Sequence, residues 1–254
     1  MLLRVKHIAA LFLMAAPAAH AAGPEALEAF AEGRFQDAAE HADAADDADH
    51  HAFAARAILA GCMTGDTEPR HEHLKAAEAR ARAALALDPD HIEGRLQLAI
   101  SLSLQARPLS TSEARKSGHG DVAKELAESV VEDDADNPYA HAVLAIWNIE
   151  VLRRGGRLGG VVMGASLKQA RRHYEIAAAA TPDDASLHWQ YARALAAHKP
   201  KKNREAINAA LRASINASVD DELERIMQSR AIVLAEALQT MKPKSVASLA
   251  EGML

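Results

Sequence analysis

Thirteen histidines and one cysteine have the most direct chemical reach in this 254-residue chain. Imidazole binds zinc and copper, and carboxylates can add ligands. His50-His51 lies beside the acidic run Asp46-Asp47-Ala48-Asp49, and His71-x-His73 opens a helical pattern. Neither pair has the i, i+4 spacing that sets two rings on one helical face, so both read as solvated surface histidines. No metal is expected. Cys62 stands alone, which excludes an internal disulfide, and its neighbours read as the end of a core-facing helix. There is no Gly-x-Ser-x-Gly elbow, no His-Glu-x-x-His, and no carboxylate pair apart from solvated turns. The chain therefore reads as a non-enzyme with no cofactor.

Glycines and basic residues offer binding chemistry instead. Gly155-Gly156-Arg157-Leu158-Gly159-Gly160 is followed by Gly164, and Ser166 is placed to cap a helix. Such a stretch can wrap an anion at a helix N-terminus, or simply connect two helices flexibly. The Gly-Lys-Ser/Thr ending of a phosphate loop is missing. Basic residues gather in segments that read as loops: Arg107, Arg115 and Lys116; Arg153, Arg154 and Arg157; then Lys199, Lys201, Lys202 and Arg204. Acidic residues gather in a second set of turns, including Asp88-Pro89-Asp90, Pro182-Asp183-Asp184 and Asp220-Asp221. One basic edge and one acidic edge follow, able to steer a charged partner. Favourable placement of acids at helix starts accounts for the acidic set equally well. It accounts poorly for Lys201, Lys202 and Arg204, which precede a helix.

The elements that must carry these residues are helical. Aromatics make up 4% of the chain and alanine is abundant, which suits close-packed helices rather than a sheet. Residues 1–22 have a basic start, a short apolar run and Ala19-His20-Ala21, the pattern of a cleaved export signal. A periplasmic location is expected, with no integral membrane segment after cleavage. Removing Arg4 and Lys6 with the leader takes the formal charge from −6 to about −8. An acidic chain without basic–aromatic clusters is not expected to bind nucleic acid.

An internal repeat organises the rest. Ala170, Tyr174, Ala177 and Pro182 stand at the same offsets as Ala77, Ala81, Ala84 and Pro89. Ala38, Ala42 and Ala45 repeat the first three, as do Ala206, Ala210 and Ala213; Leu126, Val130 and Pro138 form a poorer copy. These offsets draw a small-residue stripe along one helical face, and the proline ends the helix. After Pro89 come Leu98, Ala99 and Leu102, and after Pro182 come Tyr191, Ala192 and Leu195, again on one face. Each unit is a pair of helices.

With the run Gly33-Arg34-Phe35-Gln36-Asp37-Ala38-Ala39, this pattern resembles the tetratricopeptide repeat family. The longer period is similar to the helical T component of TRAP-type periplasmic transport systems and to the regulators of microtubule dynamics. The resemblance implies an all-α, right-handed superhelical solenoid that binds a peptide or protein on its concave face. About five helix pairs are expected over 24–46, 51–87, 91–134, 139–180 and 185–216, then a last helix near 220–239. The repeat domain covers 23–239, and residues 240–254 are expected to be disordered. Segments 64–70, 107–119 and 153–166 should line up as loops on one edge.

Two surfaces are candidates for binding. One is the basic edge of Arg153, Arg154, Arg157, Lys199, Lys201 and Lys202. The other is an apolar groove into which the family geometry would point Leu96, Ile100, Ala145, Ile149 and Trp189. An apolar groove suits a peptide or apolar ligand; the last helix, with Leu223, Ile226, Ile232 and Leu234, is an alternative filler. The leading expectation is an adaptor for a protein or peptide partner in envelope assembly or transport. The alternative is an accessory protein holding a small apolar or anionic ligand between its helices.

Overall fold

The computed structural model describes residues 22–65 and 71–253. The expected leader lies almost wholly outside the described residues, as do residues 66–70 of the first expected loop. Among the described residues there are thirteen helices and no strand, so the chain is all-α.

Two short helices, α1 (Pro24–Ala31) and α2 (Phe35–Ala42), precede a series of longer ones. α3 (Ala48–Thr64) pairs with α4 (His71–Leu87), and α5 (Ile92–Ala106) pairs with α7 (His119–Asp133) across a short α6 (Thr111–Ser117). α8 (Pro138–Met163) pairs with α9 (Leu167–Ala180), and α10 (Ala185–His198) with α11 (Arg204–Asn216). α12 (Glu222–Thr240) and α13 (Pro243–Gly252) complete the chain.

The first helix of each pair begins with a side-chain cap. Asp47, His91, Asn137, Asp184 and Asp221 accept hydrogen bonds from backbone N–H groups in the first turns of α3, α5, α8, α10 and α12. Each cap is worth about 1 kcal/mol. These five helices pack on one another in chain order, and α12 returns to touch α3 and α1. They form an inner row, with α4, α7, α9 and α11 outside it. α10 is buried on nearly every side, from Ala185 to Ala196. Trp189 at its centre is wholly buried, which at full burial contributes on the order of 3 kcal/mol.

Alanine stripes let the outer helices approach the inner ones closely. Ala77, Ala81 and Ala84 of α4 are wholly buried, as are Ala170 and Ala177 of α9. Tyr174 completes the second stripe by stacking on Tyr191 of α10, ring centroids 3.8 Å apart. Two of the imperfect copies lie in a different register from the expected one. In α7 the buried stripe is Ala123, Ala127 and Val130, which leaves Asp133 at the exposed end. In α11 it is Ile207, Leu211 and Ser214; of the expected residues Ala210 is also buried, whereas Ala206 is exposed and Ala213 half-buried. A larger residue at the contact position hid the offset in each copy.

Three expected irregular segments are helical. Residues 153–163 continue α8 beyond a kink at Gly156, whose φ of 59° and ψ of −155° are accessible essentially to glycine alone. Gly164, at φ 69°, then ends the helix. Within 107–119, the capping box of Ser110 and Glu113 starts α6. Residues 243–252, expected to be disordered, form α13. Val246 and Ala250 are buried there as α13 packs against α10 and α12. Only a short apolar pair anchors this helix, too little for a periodic pattern to reveal.

Candidate binding cleft

The inner row does not close tightly everywhere. A cleft of about 630 Å³ opens between α5, α8, α10 and α12, with α6 and the start of α7 at its mouth. Its walls are mainly apolar: Leu96, Ile100 and Leu104 from α5, Val143, Ile146 and Val151 from α8, and Met227 from α12. Beyond the Gly156 kink, Leu158 and Val162 complete the wall. Lining residues of α8 thus lie on both sides of the kink.

Helix starts make one end of the cleft. Glu93, Tyr139, Ser186 and Leu223 line it, each the second residue of its helix. Glu93 is 4% exposed and faces the wholly buried Arg56 at 3.4 Å. The Arg56 guanidinium lies over the Phe53 ring at 4.4 Å. Burial raises the Glu93 carboxyl and lowers Arg56, so each leans on the other for its charge. Asp184, Asp221 and Glu224 are three buried acids that affect one another electrostatically. Burial pushes them up to about 7, about 6 and about 8. The acidic edge expected at these turns is therefore turned inward at Asp184 and Asp221, because both act as caps.

Arginines gather at the other end. Arg107, Arg154 and Arg193 line the cleft with Glu150, and Arg153 bonds to Glu150 from behind at 2.7 Å. Arg153 also reaches Glu251 of α13 at 2.5 Å, and Arg107 donates to the Glu251 carbonyl at 2.7 Å. Arg154 donates to the carbonyls of Ala106, at 2.7 Å, and Leu109, which satisfies the end of α5. Arg230 does the same for Met63, Thr64 and Gly65 beyond α3, and Arg204 for Leu238 of α12. Much of the basic edge thus complements helix C-termini. Arg157, Lys199, Lys201 and Lys202 are the members of the expected set that stay exposed.

Several buried polar atoms on residues that line this space have no hydrogen-bond partner: Arg193 Nη1, Glu150 Oε1, Gln97 Oε1, Ser186 Oγ and the Glu93 carboxylate oxygens. Leaving such a group unmatched costs about 1–3 kcal/mol. Of the expected groove residues, Leu96 and Ile100 line the cleft. Ile149, Ala145 and Trp189 do not, because they point into the main core. Leu223 of the last helix borders the cleft and Leu234 joins the core; Ile232 is half exposed on the far face. Arg193, Glu150, Arg56 and Glu93 escaped sequence reading, although each is a charge set in a helix that is apolar on every turn.

Other candidate chemistry does not converge. His50 and His51 bond to Asp47 and Asp46, each at 2.8 Å, and His91 pairs with Asp49 at 2.9 Å. Among the described residues, no group of three or more His, Cys, Asp or Glu side chains could hold a metal ion. Cys62 is buried, and burial pushes its thiol up to about 11, far from a reactive thiolate. No helix among the described residues is long and apolar enough to cross a membrane. In comparison with known proteins, no family model matches the chain and no curated protein matches it.

Proposed function

We propose that this protein is an exported, non-enzymatic binding protein of tetratricopeptide-like build that holds a ligand in the cleft between its inner helices. The observation that carries this reading is the cleft itself. Its volume of about 630 Å³ falls within the range of small-molecule sites, and its apolar walls bear a few convergent polar groups. Serial packing of helix pairs, with α12 returning to α3, supports a superhelical arrangement with the cleft on its inner side. The leader-like residues 1–22 support a periplasmic site of action.

Native mass spectrometry of protein purified from its own host tests the proposal. A co-purifying species of small-molecule mass is expected, and Ile100→Trp, which fills the cleft, should remove it. Bare protein in both samples would count against the reading.

A protein- or peptide-docking role is the second reading. It is favoured by one observation: Leu158, Val161 and Val162 at the end of α8 are 74%, 81% and 57% exposed. Such an apolar ridge suits a partner surface.

A further inference from the structure

Arg193 is the most unusual group facing the cleft. It is 2% exposed, in the middle of α10, which is buried from Ala185 to Ala196. Nε donates to Gln190 Oε1 at 3.0 Å, and Nη2 lies 3.6 Å from Glu150 Oε1, too long for a hydrogen bond. Nη1 is buried with no partner. Glu150 does not offset this cation alone, because its other oxygen is taken by Arg153 at 2.7 Å. Among the described residues, three partly or fully buried arginines (153, 154 and 193) stand here with two glutamates, Glu150 and Glu251. An excess of positive charge is thus held at the end of an apolar space, where a buried charge is costly without a counter-ion. Burial lowers Arg193 to about 10, with Glu150 opposing the shift and the neighbouring arginines adding to it.

We propose that the cleft takes an amphipathic carboxylate, its head group paired with Arg193 Nη1 and its hydrocarbon tail against Ile100, Ile146 and Leu158. A carboxylate matches the fork of a guanidinium and supplies the missing acceptor and the missing negative charge together. The proposal rests on the cleft being the binding site.

Calorimetric titration of the full chain with dodecanoate and with dodecanol, both below their aggregation limits, tests it. Dodecanoate should bind at least tenfold more tightly than dodecanol. Arg193→Gln should erase that preference, and Arg193→Lys, which keeps the charge but not the fork, should retain only part of it, with matched thermal melts showing that both variants fold. Ile100→Trp should weaken both probes. Equal affinity of the two probes for the unaltered protein would overturn the carboxylate assignment while leaving the cleft as an apolar site. A preference that persists in Arg193→Gln would also overturn the assignment. Binding of neither probe would remove the cleft as a site as well.

Discussion

Glu224→Gln should make this protein less sensitive to alkali. Glu224 is wholly buried; one carboxylate oxygen lies 3.3 Å from the Asp220 N–H, and the other has no partner. Burial, with Asp184 and Asp221 nearby, pushes the carboxyl up to about 8, and Asp184 rises to about 7. In the unfolded chain both acids ionise near 4. The folded protein therefore holds protons that the unfolded chain has already released, and stability falls as pH rises towards the folded values. Histidines 119, 173, 188 and 198 are lowered by burial and act in the opposite direction up to about pH 7.5, but they do so equally in the two proteins. The difference between the two proteins from pH 6.5 to 8 therefore isolates Glu224, which should by itself remove on the order of 1.5 kcal/mol across that window. Gln keeps the size and removes the charge. Urea unfolding followed by circular dichroism at constant ionic strength should show the unaltered protein losing about 1.5 kcal/mol more than the variant over that window. Parallel curves for the two proteins would refute the reasoning.

Further outcomes follow from the same contacts. Arg154→Met should cost about 1–2 kcal/mol in urea unfolding, because the carbonyls of Ala106 and Leu109 lose their donor. Gly156→Ala should cost about 1–3 kcal/mol in the same assay, because a Cβ strains φ 59°, ψ −155° although the space around it is open. Val246→Asp should lower stability by at least ~2 kcal/mol, since it places a charge where α13 is buried; an unchanged melt would mean that α13 does not dock. The triple change Lys199→Glu, Lys201→Glu and Lys202→Glu should stay within about 0.5 kcal/mol of the unaltered protein, because all three are exposed.

Helices were legible because alanine, proline and apolar spacing act locally. The pairs at 51–87, 139–180 and 185–216 sit close to α3–α4, α8–α9 and α10–α11. Register was less legible where a larger residue took the alanine position, as at Val130 and Leu211. The glycine run 155–160 reads as a loop because glycine weakens helices, yet α8 continues through it with only Gly156 outside helical geometry. The cleft was half visible. Leu96 and Ile100 could be placed by helical face, whereas Trp189 and Ile149, expected in the groove on the same grounds, are packed in the main core. Arg193 depends on which helices meet Glu150, and that is a long-range fact absent from any local pattern.

The most direct test of a ligand-holding cleft is a crystal structure of the protein purified from its own host without unfolding. Continuous density for a bound molecule, lying against Ile100 and Ile146 with a polar end at Arg193, is the result predicted. A cleft containing only water, or a bound molecule seated elsewhere on the protein, would contradict it.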